Sequence, residues 1–266
     1  MNIRGFLDTL NLKDGDSLRL DCPSCRSRNT FTCYKDGGDY VYNCFKLSCS
    51  LKGAYSTDMT VEELKLRMAK PRNTNENKEL QPLVYPEYVV QPTSDHVLLQ
   101  KFVDQYDLHH EGLMYDVKDR RAVFPIHYNG RLLDAVGRAL DGAVPKWYRY
   151  SGQADFFTKR VNPDADVAVV VEDVISAIKV SHFAPSAVGF AILGTSLNVT
   201  IMKHLGEFRE VVIALDRDAT HKTLQYKREV ELWTGLPTRA LLLDDDIKYG
   251  VQDDIMRLKD MLNDRS

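Results

Sequence analysis

The sequence predicts an α/β protein whose C-terminal part is a parallel sheet with flanking helices, preceded by an α+β segment and an N-terminal β module. Two observations predict the sheet: valine-rich runs alternate with helical patterns over residues 165–243, and the runs end in acidic residues. A third observation predicts the small module, because all five cysteines fall between Cys22 and Cys49. Such a sheet brings the carboxyl ends of its strands to one edge, where ligands bind.

Length and composition limit the classes of protein that the chain can represent. Its 266 residues suffice for about two domains, and its net charge of −3 restricts nucleic-acid contacts to local basic patches. No stretch approaches the ~20 apolar residues of a membrane span. The N-terminus lacks a signal-peptide pattern, so we expect a cytoplasmic protein without a membrane partner. No G-x-x-x-x-G-K-S/T loop is present, so a nucleotide-driven motor is not expected.

The first predicted domain, residues 1–56, is a metal-binding β module. The pairs Cys22-x₂-Cys25 and Cys44-x₄-Cys49 are separated by two strand patterns, NTFTCYK and DYVYNCF, which a DGGD turn joins. In a reducing compartment, four such thiolates predict a tetrahedral Zn²⁺ that stabilises a module too small to bury a core. Cys33 lies in mid-strand, which favours a small packed residue or a surface thiol over a fifth ligand.

Basic and aromatic side chains are interspersed in this module, as in proteins that bind single-stranded nucleic acid through phosphate contacts and base stacking. The same mixture is compatible with an ordinary solvated face, and the zinc site with a purely structural role. The residues are Arg19, Arg26, Arg28, Lys35, Lys46, Lys52, Tyr34, Tyr40, Tyr42 and Phe45.

A short helix and a flexible linker are predicted over residues 57–82. Thr60 and Glu63 fit a capping box at the start of a weakly amphipathic segment. Residues 71–82, PRNTNENKELQP, are polar and bracketed by prolines, which is typical of a linker. We therefore expect the cysteine module to be tethered to the rest of the chain and mobile relative to it.

Residues 83–161 predict a mixed α and β domain. HVLLQKFVDQYDL has the pattern of a helix, and RRAVFPIHYNGRLLDAVGRAL that of a hairpin with Asn129 and Gly130 at its turn. The stretch PKWYRYSGQADFFTK then combines basic and aromatic residues and suits phosphate binding and base stacking. An equally open interpretation is a loop that buries Trp147 and Tyr148. The basic residues of the stretch PKWYRYSGQADFFTK include Lys146, Arg149 and Lys159.

Acidic residues follow three predicted strands. DVAVVVED places Glu172 at the end of the first, VVIALDRDA places Asp216 and Asp218 after the second, and TRALLLDDD ends in three aspartates. Because parallel strands share an edge, Glu172, Asp216 and Asp218 are expected to meet there. Clustered carboxylates suit Mg²⁺, which prefers oxygen ligands and substrate phosphates. The alternative is that these acids only cap the helices that follow.

Together, these segments resemble the DnaG-type and phage-type DNA primases, which join a Cys₄ zinc ribbon through a flexible link to an RNA-polymerase module built on a TOPRIM fold. Four segments carry the resemblance: CPSC…YNCFKLSC, RRAVFPIHYNGRLLDAVGRALDGAVPKW, VVVEDVISA and ALDRDA. The resemblance implies a template-binding zinc ribbon at residues 1–56, the N-terminal subdomain of the polymerase module at 83–161, and a TOPRIM catalytic subdomain at 162–266.

The resemblance also implies roles for single residues. It places Glu172 at the family's catalytic glutamate, and Asp216 and Asp218 at its metal-binding aspartates. Arg121, Arg138 and Lys146 match basic positions that the family uses for template and nucleotide contacts. The residues expected to contact nucleotide or template are Arg121, Arg138, Lys146, Lys159 and Lys248.

The chain departs from the family's pattern at several positions. The family follows its glutamate with Gly and has an acid four residues on, whereas this chain has Asp173 and Ser176 there. The third acidic element falls at residues 244–246; the sequence leaves open which aspartate faces the metal, and Asp245 is the working assignment. No helicase-related segment is present, so the resemblance implies a stand-alone primase that acts with a separate replicative helicase, of a size that suits a phage.

The function expected from the sequence is that of a DNA primase, a template-directed synthesis of short RNA primers on single-stranded DNA. It would use ribonucleoside triphosphates and Mg²⁺ or Mn²⁺ for nucleotidyl transfer, as in phage DNA replication. Two alternatives stay open: a DNA-binding recombination mediator that joins a zinc ribbon to TOPRIM, and a TOPRIM nuclease. The R-x-x-F-P-I segment argues against the mediator, which does not carry it, and the N-terminal ribbon argues against the nuclease.

Overall fold

The computed structural model describes residues 2–13, 16–36, 39–56, 60–68, 81–194 and 196–264. The chain divides into two compact units, Met1–Arg72 and Asn73–Ser266. Residues 71–80 of the predicted linker and the two glycines of the predicted DGGD turn lie outside the described residues. Within the described part of the chain, every helix is too short or too polar to cross a membrane.

The first unit is built on a four-stranded antiparallel sheet in the order β1-β2-β3-β4. Its elements are α1 (Ile3–Thr9), β1 (Ser17–Leu20), β2 (Phe31–Asp36), β3 (Asp39–Cys44), β4 (Lys52–Ser56) and α2 (Val61–Met68). The capping box of α2 forms as predicted: the Thr60 backbone N–H donates to the Glu63 carboxylate at 2.8 Å, and the Glu63 N–H donates to the Thr60 hydroxyl at 3.2 Å.

The second unit begins with an antiparallel sheet in the order β5-β6-β7-β8-β9. Its elements are β5 (Val89–Val90), α3 (Val97–Tyr106), β6 (Met114–Asp116), β7 (Arg121–Tyr128), β8 (Arg131–Ala139) and β9 (Trp147–Arg149). The predicted hairpin joins β7 and β8, and both of its turn residues have positive φ, 49° at Asn129 and 74° at Gly130. Two positive φ values identify the turn geometry that favours Asn-Gly.

A second sheet, in the order β10-β12-β11-β13-β14, follows in the same unit. Its elements are β10 (Phe156–Lys159), β11 (Val167–Val171), α4 (Val174–Phe183), β12 (Ala187–Ile192), α5 (Val199–Leu205), β13 (Glu210–Ile213), α6 (Thr220–Thr234), β14 (Thr238–Ala240) and α7 (Gln252–Asn263). The last four strands of this order are parallel, as predicted, and β10 is antiparallel to β12. A domain boundary at residue 161 would therefore separate β10 from the sheet to which it bonds.

Helix α4 lies against both sheets of the second unit, and residues 174–181 are all buried. Ile175 and Ile178 pack into the core of the antiparallel sheet beside Phe124, whereas Ala177 and Val180 pack into the core of the parallel sheet. The helix approaches β12 so closely that a Cβ at Gly189 would lie 1.8 Å from the Ala177 carbonyl oxygen. This contact fixes the start of α4 relative to the sheet edge.

A partly buried ion pair connects the antiparallel sheet to the end of β12. Asp134 is fully buried, and its carboxylate accepts hydrogen bonds from Arg149 Nη2 at 2.6 Å and from the Ala154 backbone N–H at 3.1 Å. Arg149 Nη1 donates to the Leu193 carbonyl at 2.9 Å. The sequence left Arg149 open as a phosphate-binding residue, whereas the structure shows it bonded within the fold.

Candidate active site and cysteine cluster

Four cysteine side chains converge in the first unit. The sulfur atoms of Cys22, Cys25, Cys44 and Cys49 all lie within 4.8 Å of one another. The Sγ–Sγ distance is 3.9 Å between Cys22 and Cys49 and 3.8 Å between Cys25 and Cys44. A tetrahedral Zn²⁺ with Zn–S bonds of about 2.3 Å separates its sulfur ligands by about 3.8 Å. The four cysteines are therefore arranged to bind a metal ion, and they fit Zn²⁺.

Hydrogen bonds at Cys25 and Cys44 favour the thiolates that a metal requires. At Cys49, a backbone hydrogen bond from Leu51 acts to lower the pKa, but burial and hydrogen bonds to the other three cysteines outweigh it and raise the pKa to about 11. Hydrogen bonds from the backbone and side chain of Ser27 lower the pKa of Cys25 to about 6. Burial acts to raise the pKa of Cys44, but hydrogen bonds with the Thr30 side chain and the Lys46 backbone outweigh it and lower the pKa. Cys33 is fully buried in the core of the module, where burial raises its pKa to about 11. Its environment is that of a packed thiol.

The acidic edge of the parallel sheet is formed by the ends of β11 and β13, which are neighbours. Their register pairs Val170 with Ile213, so Glu172 and Asp216 leave adjacent strands at the same edge. Asp218 lies two residues further on, in a short 3₁₀ helix, and is exposed. The structure thus brings Glu172, Asp216 and Asp218 to one edge of the sheet.

The charges of these carboxylates interact. Burial raises the pKa of Glu172. The positive charge of Lys222 opposes this shift, and the negative charge of Asp218 adds to it. Burial also raises the pKa of Asp216 to about 7, against the opposing charge of Lys248. Carboxylates whose pKa values are raised by burial and like charges are typical of sites that bind cations or transfer protons.

The acidic edge is open rather than a closed coordination shell. Among the residues that the structure describes, only the four cysteines converge within 4.8 Å as metal-binding groups. Mg²⁺ keeps several waters and binds one or two carboxylates together with substrate phosphates. Binding of Mg²⁺ or Mn²⁺ by Glu172, Asp216 and Asp218 therefore stays a prediction, in which a phosphate ligand would complete the coordination.

Lys248 neutralises part of this edge. Its ammonium lies 2.9 Å from Asp173 Oδ2 and also donates to Asp246, and the residue is only 7% exposed. Burial acts to lower the pKa of Lys248, but Asp173 and Asp246 outweigh it and raise the pKa. Asp173 also caps α4, because its Oδ1 accepts a hydrogen bond from the Ser176 N–H at 2.9 Å. Helix capping thus accounts for Asp173, whereas Asp216 makes no side-chain cap bond.

Within the run of three aspartates, Asp246 faces the acidic edge. Its charge raises the pKa of both Glu172 and Asp216. Asp245 is exposed, its Oδ1 accepts the Asp246 N–H at 2.8 Å, and its backbone N–H donates to the buried Asp254 of α7 at 3.3 Å. The structure therefore favours Asp246 over Asp245 at this position. In the sequence, the only indication for Asp246 is that Lys248, which bonds to it, lies two positions further on.

Comparisons with known proteins give matches at the level of structure. No protein-family model matches the chain, and no curated protein matches it. A DNA primase domain from Pseudomonas aeruginosa is 24% identical with a TM-score of 0.46, over 65% of this chain and 64% of that one. The chain is similar in structure to DNA primases.

Two further solved structures match over most of this chain. The zinc-binding and RNA polymerase domains of the Aquifex aeolicus primase are 20% identical with a TM-score of 0.43, over 97% of this chain and 82% of that one. The primase fragment of the bacteriophage T7 primase-helicase protein is 16% identical with a TM-score of 0.40, over 91% and 99%. This chain spans 64% of the length of the Pseudomonas primase domain.

Arg138 lies beside the acidic edge. Burial lowers the pKa of Arg138, and the charge of Asp173 opposes that shift. Its guanidinium lies 5.2 Å from the centroid of the Trp147 ring, a cation–π contact. Arg138 and Lys248 are thus the two predicted basic residues whose charges act on the acidic edge.

The other predicted basic residues have different surroundings. Lys159 Nζ lies 2.7 Å from the buried carboxylate of Glu111. Arg121 is 4% exposed, and its Nη1 donates to the Pro145 carbonyl at 2.8 Å. Lys146 lies in an exposed loop. Nucleotide contacts by these three residues stay predictions, and the ion pair of Lys159 favours a role within the fold.

Proposed function

We propose that this chain is a DNA primase that synthesises short RNA primers on a single-stranded DNA template. The observation that carries the proposal is the adjacency of Glu172 and Asp216 at the carboxyl ends of β11 and β13. Both carboxylates interact electrostatically and have raised pKa values. They lie in segments whose sequences, VVVEDVISA and ALDRDA, match the acidic motifs of primases.

The acidic edge suits nucleotidyl transfer. Glu172, Asp216 and Asp218 would hold Mg²⁺ or Mn²⁺, which when bound neutralises phosphate charge and lowers the pKa of the attacking 3′-hydroxyl. Arg138, whose charge acts at the same edge, would bind a phosphate of the nucleotide or template. In an alternative role, Glu172 would accept the hydroxyl proton as a general base instead of binding the metal, which its raised pKa suits.

The cysteine module suits template binding. The four cysteines would hold one structural Zn²⁺ and so stabilise the module that carries the exposed aromatic residues. Phe45 is 61% exposed, and the Arg19 guanidinium lies 5.7 Å from its ring centroid. Tyr34 is also exposed. Aromatic rings flanked by arginine bind single-stranded bases by stacking.

The biological setting follows from this activity. The template would be single-stranded DNA, the substrates ribonucleoside triphosphates, and the partner a separate replicative helicase. The place of action would be the cytoplasm, that of the host if a phage encodes the chain.

A primer-synthesis assay tests the proposal. The full chain is incubated with single-stranded templates of varied trinucleotide content, four ribonucleoside triphosphates including labelled ATP, and Mg²⁺ or Mn²⁺. We expect short labelled RNA only with template, its loss in Glu172→Gln, and its retention in the control Glu207→Gln, a 70% exposed carboxylate. Template degradation without synthesis would indicate a nuclease. Tight DNA binding with neither activity, also with a helicase present, would indicate a mediator.

A further inference from the structure

Tyr249 is an exposed aromatic residue at the rim of the acidic edge. It ends the 3₁₀ helix Ile247–Tyr249, in which the two preceding side chains are buried. Tyr249 itself is 54% exposed. An aromatic ring that projects from an otherwise buried turn offers an apolar face to a ligand.

The ring of Tyr249 is supported from within the fold. Its centroid lies 6.4 Å from that of Tyr106 in α3, with 37° between the planes, and Tyr106 is only 7% exposed. The Lys248 ammonium lies 5.3 Å from the Tyr249 centroid. Arg138 also interacts with both tyrosines and contacts Trp147. Aromatic rings interspersed with cations are the composition of sites that stack nucleobases.

The position of Tyr249 fits a nucleotide that binds at the acidic edge. Lys248 is next to Tyr249 in the chain, and its ammonium bonds to Asp173 and Asp246. A ligand with phosphates at the acidic edge and a planar base beyond them would place that base over the exposed ring. We propose that Tyr249 binds the base of the incoming ribonucleoside triphosphate by stacking. This inference rests on the proposed function and adds a base-binding residue to it.

Nucleotide binding by the full chain tests the inference without chemistry. ATP with Mg²⁺ is titrated calorimetrically, without template, into the wild-type protein, Tyr249→Ala, Tyr249→Phe and the control Tyr128→Ala, whose residue is 42% exposed and lies beside His204. We expect the Kd for ATP to rise about tenfold in Tyr249→Ala, which corresponds to about 1.4 kcal/mol of stacking energy. The Kd for ATP of Tyr249→Phe and of Tyr128→Ala should stay within about twofold of the wild-type value. Tyr249→Phe keeps the aromatic ring, and Tyr128 lies beside His204.

Two further titrations separate the base from the phosphates and from the template. Tripolyphosphate has no base, so its Kd should be the same in wild type and Tyr249→Ala. The Kd for a single-stranded oligonucleotide should also be unchanged. An equal Kd for ATP in Tyr249→Ala and wild type would overturn the inference. It would also be overturned if Tyr249→Ala lost affinity only for the oligonucleotide, or lost affinity for tripolyphosphate as well as for ATP. Failure of the wild type to bind ATP would overturn the proposed function, and the inference with it.

Discussion

The ammonium of Lys248 lies 2.9 Å from the carboxylate of Asp173, although 75 positions separate the two residues in the sequence. The contact joins the turn after β14 to the first residue before α4. It places a fixed positive charge among Asp173, Asp246 and Asp216. The acidic edge is thus partly neutralised by the protein itself.

Removal of the Lys248 charge is expected to destabilise the fold. Lys248→Met leaves two largely buried carboxylates without their partner, which costs about 3–5 kcal/mol in the free energy of unfolding. Urea denaturation measures this loss. Lys248→Met combined with Asp173→Asn should recover part of it, and a wild-type midpoint in the single variant would contradict the pairing.

Substitution of Asp216 is expected to separate stability from metal binding. Because the folded state holds the pKa of Asp216 near 7, above its ordinary value of 3.8, its ionisation disfavours folding increasingly from about pH 4 to pH 7. In EDTA, Asp216→Asn should therefore match or exceed the wild-type Tm at pH 8 and lose that advantage near pH 4. Mn²⁺ should raise the Tm of the wild type and not that of the variant. A variant still stabilised by Mn²⁺ would contradict the ligand role.

One Zn²⁺ per chain is expected in the first unit. Cys25→Ser removes one of four converging thiolates and should lose the metal, together with the ordered module that the metal stabilises. The matched control is Cys33→Ala, a buried cysteine outside the cluster, which should retain the metal. Elemental analysis of the purified proteins measures the zinc content. Equal zinc in both variants would contradict the four-ligand site.

Asp134 is expected to contribute stability that is lost in acid. Burial acts to raise the pKa of Asp134, but hydrogen bonds and charge from Arg149 outweigh it and hold the pKa below the ordinary value of 3.8. Its contribution is therefore fully present above that value and disappears as the pH falls through the lower folded value. Asp134→Asn should lower the urea midpoint strongly at pH 7 and less at pH 3, which is below the unfolded value of 3.8. An equal loss at both pH values would contradict this account.

Local sequence patterns predicted the elements that depend on local chemistry. The valine-rich run of β11 is buried on both faces, as a central parallel strand requires. Asn129 and Gly130 adopt the positive φ values that their hairpin turn demands. Both outcomes can be predicted from residue type and spacing, although the burial of β11 also requires its sheet neighbours β12 and β13.

The features that sequence reasoning missed depend on distant partners. Which aspartate of residues 244–246 turns toward β11 is decided by Asp254 in α7, which bonds the backbone of Asp244 and Asp245. The sheet to which β10 belongs is decided by its pairing with β12, about 33 positions away. The short strand FFTK carries no pattern that specifies that partner.

Helix α4 makes the second unit a single cooperative structure. The sequence presents residues 83–161 and 162–266 as two subdomains of one module, and Ile175 and Ile178 of the second complete the core around Phe124 in the first. A fragment cut at residue 161 would expose that core to water and would also lose the sheet partner of β10. The two sheets should therefore melt in one transition, and local unfolding of either sheet should displace Glu172, which lies two residues before the start of α4.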